Sequence, residues 1–175
     1  MSPVVHLRDF TSADLSLLET WLARPHVSAF WPEPEWHLTT ARDLPTRYRH
    51  AVIELEGAPI GYLRWAYCPR DVLDRVGFPE LPENCVDVDI LIGEEAACGR
   101  GVGPRALQKL LTVLDADPSV PLVSMITAVV NQRAIRAYEK SGFRAYREVQ
   151  EKGVGPCLVM VRHRVPPADE VGARS

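Results

Sequence analysis

The chain reads as a mixed α/β fold, a central β-sheet with parallel strands at its middle and helices on its flanks. Three observations predict it. Strand-period and helix-period segments alternate through the second half, an antiparallel hairpin signature occupies the first half, and a glycine-rich loop joins a strand to an amphipathic helix between them. That strand is Val86–Ile92, where Val86, Val88, Ile90 and Ile92 alternate with Asp87, Asp89 and Leu91. A period of two places Asp87 and Asp89 on one face. The loop is Gly99-Arg100-Gly101-Val102-Gly103-Pro104-Arg105, and the helix after it aligns Leu107, Leu110, Leu111 and Leu114 in one stripe.

From the start of the chain, Val4–Phe10 fits a short strand. Thr11 is suited to cap a helix over Ser12–Ala23, whose apolar stripe is Leu15, Leu18, Trp21 and Leu22. Arg24-Pro25 ends it. His26–Glu35 is aromatic and acidic, and its two prolines exclude regular structure throughout. A second helix is expected over Leu38–Tyr48, interrupted by Pro45. His50–Leu55 and Pro59–Tyr67 flank Glu56-Gly57-Ala58 and predict an antiparallel hairpin. Cys68–Asn84 reads as an irregular insertion rich in Asp, Glu and Pro. Val120–Val129 is a buried strand. Asn131 is placed to cap a helix over Gln132–Ser141, and Gly142 to end it in the left-handed region, with Phe143 packing back on that turn. Ala145–Val149 and Cys157–Arg164 form a final strand pair around Gly153 and Gly155. Residues 1–165 are expected to be a single domain, and 166–175 a flexible tail.

Glycines lack a Cβ, so backbone amides in the loop can approach an anion closely. Pro104 suits the first helical position, the helix dipole adds partial positive charge there, and Arg100 and Arg105 complete a cradle. The spacing is not GxxxxGK[ST] and not GxGxxG, which excludes a P-loop and a dinucleotide fingerprint. Taken alone, the loop fits a tight strand-to-helix turn equally well.

Composition narrows the function classes. With 175 residues, 46% hydrophobic and 25% charged, the chain supports one substantial core. A formal net charge of −3 and the lack of a basic run argue against nucleic acid as the main ligand. The start MSPVVHLRDF lacks the pattern of a signal peptide, and no apolar run nears the ~20 residues needed to span a bilayer. Cys68, Cys85, Cys98 and Cys157 are scattered with no CxxC, so they read as reduced thiols of a cytoplasmic protein rather than a disulfide frame or a zinc site. Cys98 reads as a small buried filler. No metal site is expected.

Downstream of the loop lies Asn131–Phe143, NQRAIRAYEKSGF. The loop followed by a helix, then a strand, then this N-x-x-A-I-x-x-Y-E-K-x-G-F run resembles the GNAT superfamily of acyl-CoA-dependent N-acyltransferases, over roughly Val4 to Arg164. The resemblance implies a GNAT-type mixed sheet with splayed parallel strands, and acetyl-CoA as the co-substrate. Its pantetheine arm would lie between the strand of Asp89 and the strand Leu122–Thr127, pairing with backbone at Leu91 and Ile92. Cofactor contacts are further implied at Arg100, Gly101, Val102, Gly103, Pro104 and Arg105, and at Asn131, Ala134 and Tyr138. Many members carry Gln or Arg where this chain has Cys98, which removes a polar side chain but leaves the loop amides.

A primary amine is mostly protonated near neutral pH, so direct transfer needs a proton acceptor for the amine and a donor for the leaving thiolate. The resemblance points to Asp89 for the first role and Tyr138 for the second. Trp31 in AFWPEPE, Asp89 in VDVDIL, the hairpin GAPIGY and the NQRAIRAYEKSGF run together look like the aminoglycoside 6′-N-acetyltransferase branch, with siderophore-lysine acyltransferases sharing the outline. Trp31, Glu33, Asp87 and Asp89 are the expected substrate contacts. Trp31 fits a platform for a sugar ring and a core plug equally. Polycationic aminoglycosides favour an acidic cleft, for which Glu33, Glu35, Asp71, Asp74, Glu80, Glu83, Asp87, Glu94 and Glu95 are candidates. One departure weakens this branch. Its members often carry D-P-x-P-x-N, where this chain reads Ile126-Thr127-Ala128-Val129-Val130-Asn131. The readings carried forward are an aminoglycoside acetyltransferase, an acyltransferase on another amine (siderophore lysine, polyamine or protein α-amine), and a non-catalytic CoA-binding module. The expected assembly is a monomer or a homodimer.

Overall fold

The computed structural model describes residues 4–43 and 47–168. Strand β1 (Val5–Asp9) leads into a 3₁₀ turn over Ser12–Asp14 and helix α1 (Leu15–Leu22). Thr11 caps this entry as expected. Its backbone N–H and hydroxyl both donate to Asp14 Oδ2, at 2.9 and 3.1 Å. Short helix α2 (Pro25–Ser28) and helix α3 (Pro34–Arg42) follow. The predicted second helix therefore starts four residues early and stops short of Tyr48. Pro34 sits at its first turn, where the missing N–H costs nothing, and Tyr48 is needed in a strand opposite Ala66. Pro45 lies outside the described residues.

Strands β2 (Tyr48–Leu55) and β3 (Ala58–Cys68) form the predicted hairpin. Its two-residue turn, Glu56 (φ 53°) and Gly57 (φ 83°), has positive φ at both positions. That is the turn whose twist matches a tight antiparallel hairpin. The insertion is not wholly irregular, since Arg70–Arg75 forms helix α4. Strand β4 (Cys85–Ile92), helix α5 (Val102–Asp115), strand β5 (Leu122–Ala128), helix α6 (Gln132–Lys140) and strands β6 (Arg144–Glu151) and β7 (Gly155–His163) complete the chain. Residues 169–175 of the expected tail lie outside the described residues.

The seven strands form one sheet in the order β1-β2-β3-β4-β5-β7-β6. Only β4 and β5 pair in parallel. Leu107, Leu110, Leu111 and Leu114 of α5 are buried against Val86, Val88, Val123 and Met125, so the leucine stripe covers one face of the central strands. On the other face Leu18, Trp21 and Leu22 of α1 bury with Tyr62 and Leu91. Trp21 is locked there. A Cβ at Gly93 would stand 2.1 Å from the indole, and Trp21 Nε1 donates to Glu94 Oε1 at 2.9 Å. This anchors the end of β4, which carries both aspartates. Among the described residues no helix is long and apolar enough to cross a membrane.

Candidate active site

Strands β4 and β5 pair over only two rungs, Val86↔Val123 and Asp87↔Ser124. On its other side β4 stays bonded to β3 as far as Gly61↔Ile92. From Val88 onward, the edge of β4 that faces β5 has no strand to bond. A cleft of about 1000 Å³ opens at this parting.

One end of the cleft is the glycine loop. Gly101 (φ 72°) caps α5, in the left-handed region that only glycine occupies cheaply. Pro104 is the third residue of α5 rather than the first, still within the turn whose N–H groups have no helical partner. Nothing lies within 4 Å of where a Cβ would stand at Gly99 or Gly103, so a ligand can come close to the loop backbone. Gly101, Val102, Gly103 and Pro104 line the cleft, whereas Arg100 and Arg105 do not. Arg105 Nη2 instead donates to the Arg100 carbonyl at 2.9 Å and braces the loop. Among the cations that do line the cleft are Arg133, Arg136 and Lys140 of α6. The sequence reading did not assign them, because Arg133 and Arg136 occupy unspecified positions of the motif. Asn131 caps α6 as expected, its Oδ1 accepting from the Ala134 N–H at 3.2 Å, and both residues line the cleft. Leu91 and Ile92 also line it. The Ile92 carbonyl is already approached by His26 Nε2 at 3.0 Å. Cys98 is partly exposed at the cleft rather than buried.

The cleft also holds a set of ionisable side chains. Asp89 Oδ2 accepts from Arg64 Nε at 2.7 Å. Arg64 is only 4% exposed. Its guanidinium lies over the rings of Trp36, Tyr48 and Trp31, at 4.5, 5.2 and 5.5 Å. Arg64 Nη1 also donates to His37 Nδ1 at 3.2 Å, and His37 Nε2 donates to the Pro32 carbonyl at 2.9 Å. Burial, then the charge of Arg64, pulls His37 down to about 4, so the ring is neutral and accepts. Trp31 lines the cleft and also packs on His37 and Tyr62, with centroids 4.7 and 6.2 Å away. It is thus both a wall of the cleft and part of the packing behind it. Glu33 is exposed at the rim, with φ 57°. Arg64 and His37 escaped the sequence reading, since only the folded sheet brings them to Asp89.

Asp87 stands where the two strands part, its Oδ1 accepting from Ser124 Oγ at 3.1 Å. Burial, then the neighbouring Asp89 charge, pushes Asp87 up to about 8. The two carboxylates thus share a face, as predicted, but not an environment: Asp89 meets Arg64, whereas Asp87 is held protonated at neutral pH. Tyr138 is buried on α6 with its ring 6.2 Å from Phe143, and it lines the same cleft. Burial, then Asp89, pushes its phenol well above the usual range, so it keeps its proton.

Few of the expected carboxylates ring the cleft. Glu33 and Asp87 do, but Asp71, Asp74, Glu80 and Glu94 pair with Arg75, Arg70, Arg147 and Arg24. Glu35, Glu83 and Glu95 do not line it. Thr127 and Ala128 line it where the departure from D-P-x-P-x-N removes an aspartate.

These shifts predict the pH dependence of stability. Buried His50, with Nδ1 2.6 Å from the Tyr62 hydroxyl, is also held down to about 4, by burial and then Arg64. Between pH 6.5 and 4 the unfolded chain binds protons at His37 and His50 that the folded chain refuses, so stability falls with falling pH. Each contributes on the order of 3 kcal/mol at most. Asp87, raised in the folded state, acts in the opposite direction between about 4 and 8. Two protons outweigh one below pH 6.5; above it Asp87 acts until Cys68, pulled down to about 7 by its hydrogen bond with Cys85, offsets it. Urea midpoints are therefore expected to peak near pH 6.5, fall steeply toward pH 4 and change little above pH 7.

A family model described as acetyltransferase (GNAT) domain matches residues 11–151. The chain is 31% identical over 170 residues to aminoglycoside N(6′)-acetyltransferase type 1 of Klebsiella pneumoniae, covering 91% of this chain and 83% of that protein. It is 24% identical over 150 residues to the lysine N-acyltransferase MbtK of Mycolicibacterium paratuberculosis, covering 82% and 67%. The crystal structure of aminoglycoside acetyltransferase AAC(6′)-Ib with coenzyme A and kanamycin superposes with a TM-score of 0.76 at 27% identity, over 98% of this chain and 100% of that one. Sheet order, parted strands, glycine loop and relatives agree: this chain belongs to the GNAT family of acyl-CoA-dependent N-acetyltransferases.

Proposed function

We propose that the chain transfers the acetyl group of acetyl-CoA to a primary amine of an aminoglycoside, the 6′-amine, by direct transfer in a ternary complex. The observation that carries this reading is the parting of β4 from β5, with Asp89 and Tyr138 lining one cleft. The relative at 31% identity and the kanamycin-bound structural neighbour support the acceptor. The chain fits the cofactor. The unpaired edge of β4 beyond Asp87 suits an extended amide-bearing arm, and the open loop at Gly99–Gly103 suits a pyrophosphate. Residues 1–165 act as one acyltransferase unit in this reading, in the cytoplasm, where the free thiols Cys68, Cys85, Cys98 and Cys157 stay reduced.

When bound, acetyl-CoA supplies an activated thioester carbonyl and a sulfur leaving group. Asp89, held in place by Arg64, takes a proton from the acceptor amine. Trp31 offers a ring face to the acceptor sugar, and Glu33 at the rim offers a charge to its other amines. Tyr138 keeps its phenolic proton at neutral pH and gives it to the departing sulfur. Positioning by the narrow cleft contributes the rest.

The test is to incubate the protein with acetyl-CoA and kanamycin and solve the product by NMR. The acetyl group is expected on the 6′-nitrogen; acetylation elsewhere, or none, contradicts the reading. A second reading, an acceptor amine with fewer positive charges, is favoured by the pairing of Asp71, Asp74, Glu80 and Glu94 with arginines away from the cleft.

A further inference from the structure

Burying an arginine is costly unless the fold satisfies it, and β3 needs no charge to hold its place in the sheet. Arg64 is nonetheless among the buried residues of β3, beside apolar Leu63. What surrounds it is specific. Two hydrogen bonds, to Asp89 on β4 and His37 on α3, fix the guanidinium in its plane, and Trp31, Trp36 and Tyr48 close over it. His37 is pinned in turn, because its Nε2 donates to the Pro32 carbonyl and leaves Nδ1 as an acceptor. The result is an unbroken chain of contacts from the Trp31–Glu33 loop, through His37 and Arg64, to Asp89.

We propose that Arg64 is the positioning residue of the acceptor site: its clamp fixes the Asp89 carboxylate and leaves Oδ1 for the acceptor amine. This rests on the reading of Asp89 as proton acceptor. The Asp89 side chain is 30% exposed, with Oδ2 on Arg64 and no partner for Oδ1 among the described residues. A planar fork held by rings on several sides loses little freedom when it binds, which is why arginine rather than lysine suits the place.

The groups that face Asp89 sharpen the argument. Asp87 stands on the same strand, Arg64 and Tyr62 on β3, His37 on α3 and Tyr138 on α6. His37 is neutral, the two tyrosines are protonated, and Asp87 holds its proton. Arg47, ahead of β2, also lines the cleft, and its charge is felt at Asp87. Arg64 is therefore the cation in direct contact with Asp89. Without it, Asp89 loses its counter-ion and the hydrogen bond that fixes its carboxylate.

The experiment uses the full chain as wild type, Arg64→Gln, Arg64→Lys and Asp89→Asn. Carboxyl ¹³C NMR at neutral pH reports the Asp89 resonance, assigned by its loss in Asp89→Asn, and requires no acceptor. Steady-state kinetics with acetyl-CoA and kanamycin run in parallel. In Arg64→Gln the Asp89 resonance is expected to move and broaden as the carboxylate loses its fixed partner. The kcat of this variant is expected to fall about tenfold or more, with the KM for acetyl-CoA kept within about twofold. Arg64→Lys is expected to recover only part of kcat, since it keeps the charge without the fork. An unmoved resonance in Arg64→Gln, or equal loss in both Arg64 variants with a lowered Tm, reduces Arg64 to a structural residue and overturns the proposal. If Asp89→Asn keeps wild-type turnover, it is the proton-acceptor reading that fails. If Asp89→Asn is inactive while the Arg64→Gln resonance and turnover stay put, only the clamp fails.

Discussion

Asp89→Asn is expected to lower turnover about 10²- to 10³-fold, the range typical of losing a general base. The substitution is nearly isosteric, and the asparagine oxygen can still accept from Arg64 Nε, so the β3–β4 contact survives. What goes is the charge and the ability to take a proton. The loop residues Gly101 to Pro104 and Asn131 and Ala134 of the cleft are unchanged in this variant, so the KM for acetyl-CoA is expected to hold. The variant also leaves Arg64 buried without its counter-ion. A thermal melt run beside the kinetics separates lost chemistry from lost fold. Unchanged turnover would show that Asp89 is not the proton acceptor.

Tyr138→Phe carries the second-largest effect, a fall in kcat of about tenfold to a hundredfold. It is placed below Asp89→Asn because a thiolate leaves more readily than an amine loses its proton unaided. The ring of Tyr138 packs on Phe143, and phenylalanine keeps that packing, so stability is expected to change little. Affinity for acetyl-CoA, measured directly by calorimetry, is expected to remain near the wild-type value. A variant with wild-type kcat would show that solvent protonates the sulfur and that Tyr138 only shapes the cleft.

The parts of this molecule that were legible in the sequence are those with local causes. The alternation in VDVDILI puts Asp87 and Asp89 on one face because side chains in a strand repeat every second residue, and the structure keeps that register against β3. The leucine stripe of α5, the Asn131 cap, the hairpin around Glu56-Gly57 and the left-handed turn at Gly142 follow from equally short-range rules. Proline was read too strongly. Pro45 suggested a kink within a helix, whereas the helix that forms begins on Pro34 and ends at Arg42, and the strand pairing of Tyr48 takes over. The electrostatic character of the cleft was not legible. Whether Asp71 or Glu94 faces a ligand depends on Arg75 or Arg24 meeting it first, and the second of those partners is seventy positions away. Arg64 was invisible for the same reason: nothing in PIGYLRWAY distinguishes a buried arginine from an exposed one until α3 brings His37 and Trp36 over it.

The central claim is that this cleft presents a nucleophilic 6′-amine to an acetyl thioester. The measurement that tests it most directly is release of free CoA thiol from acetyl-CoA with paired acceptors that differ only in bearing an amine or a hydroxyl at the 6′-position. Spermidine and a lysine derivative would serve as the non-sugar amines. Saturable thiol release with each 6′-amine, and background rates with each 6′-hydroxyl partner, is the predicted result. Equal rates within the pairs, or turnover confined to spermidine or the lysine derivative, would contradict the aminoglycoside assignment while leaving the acyltransferase family in place.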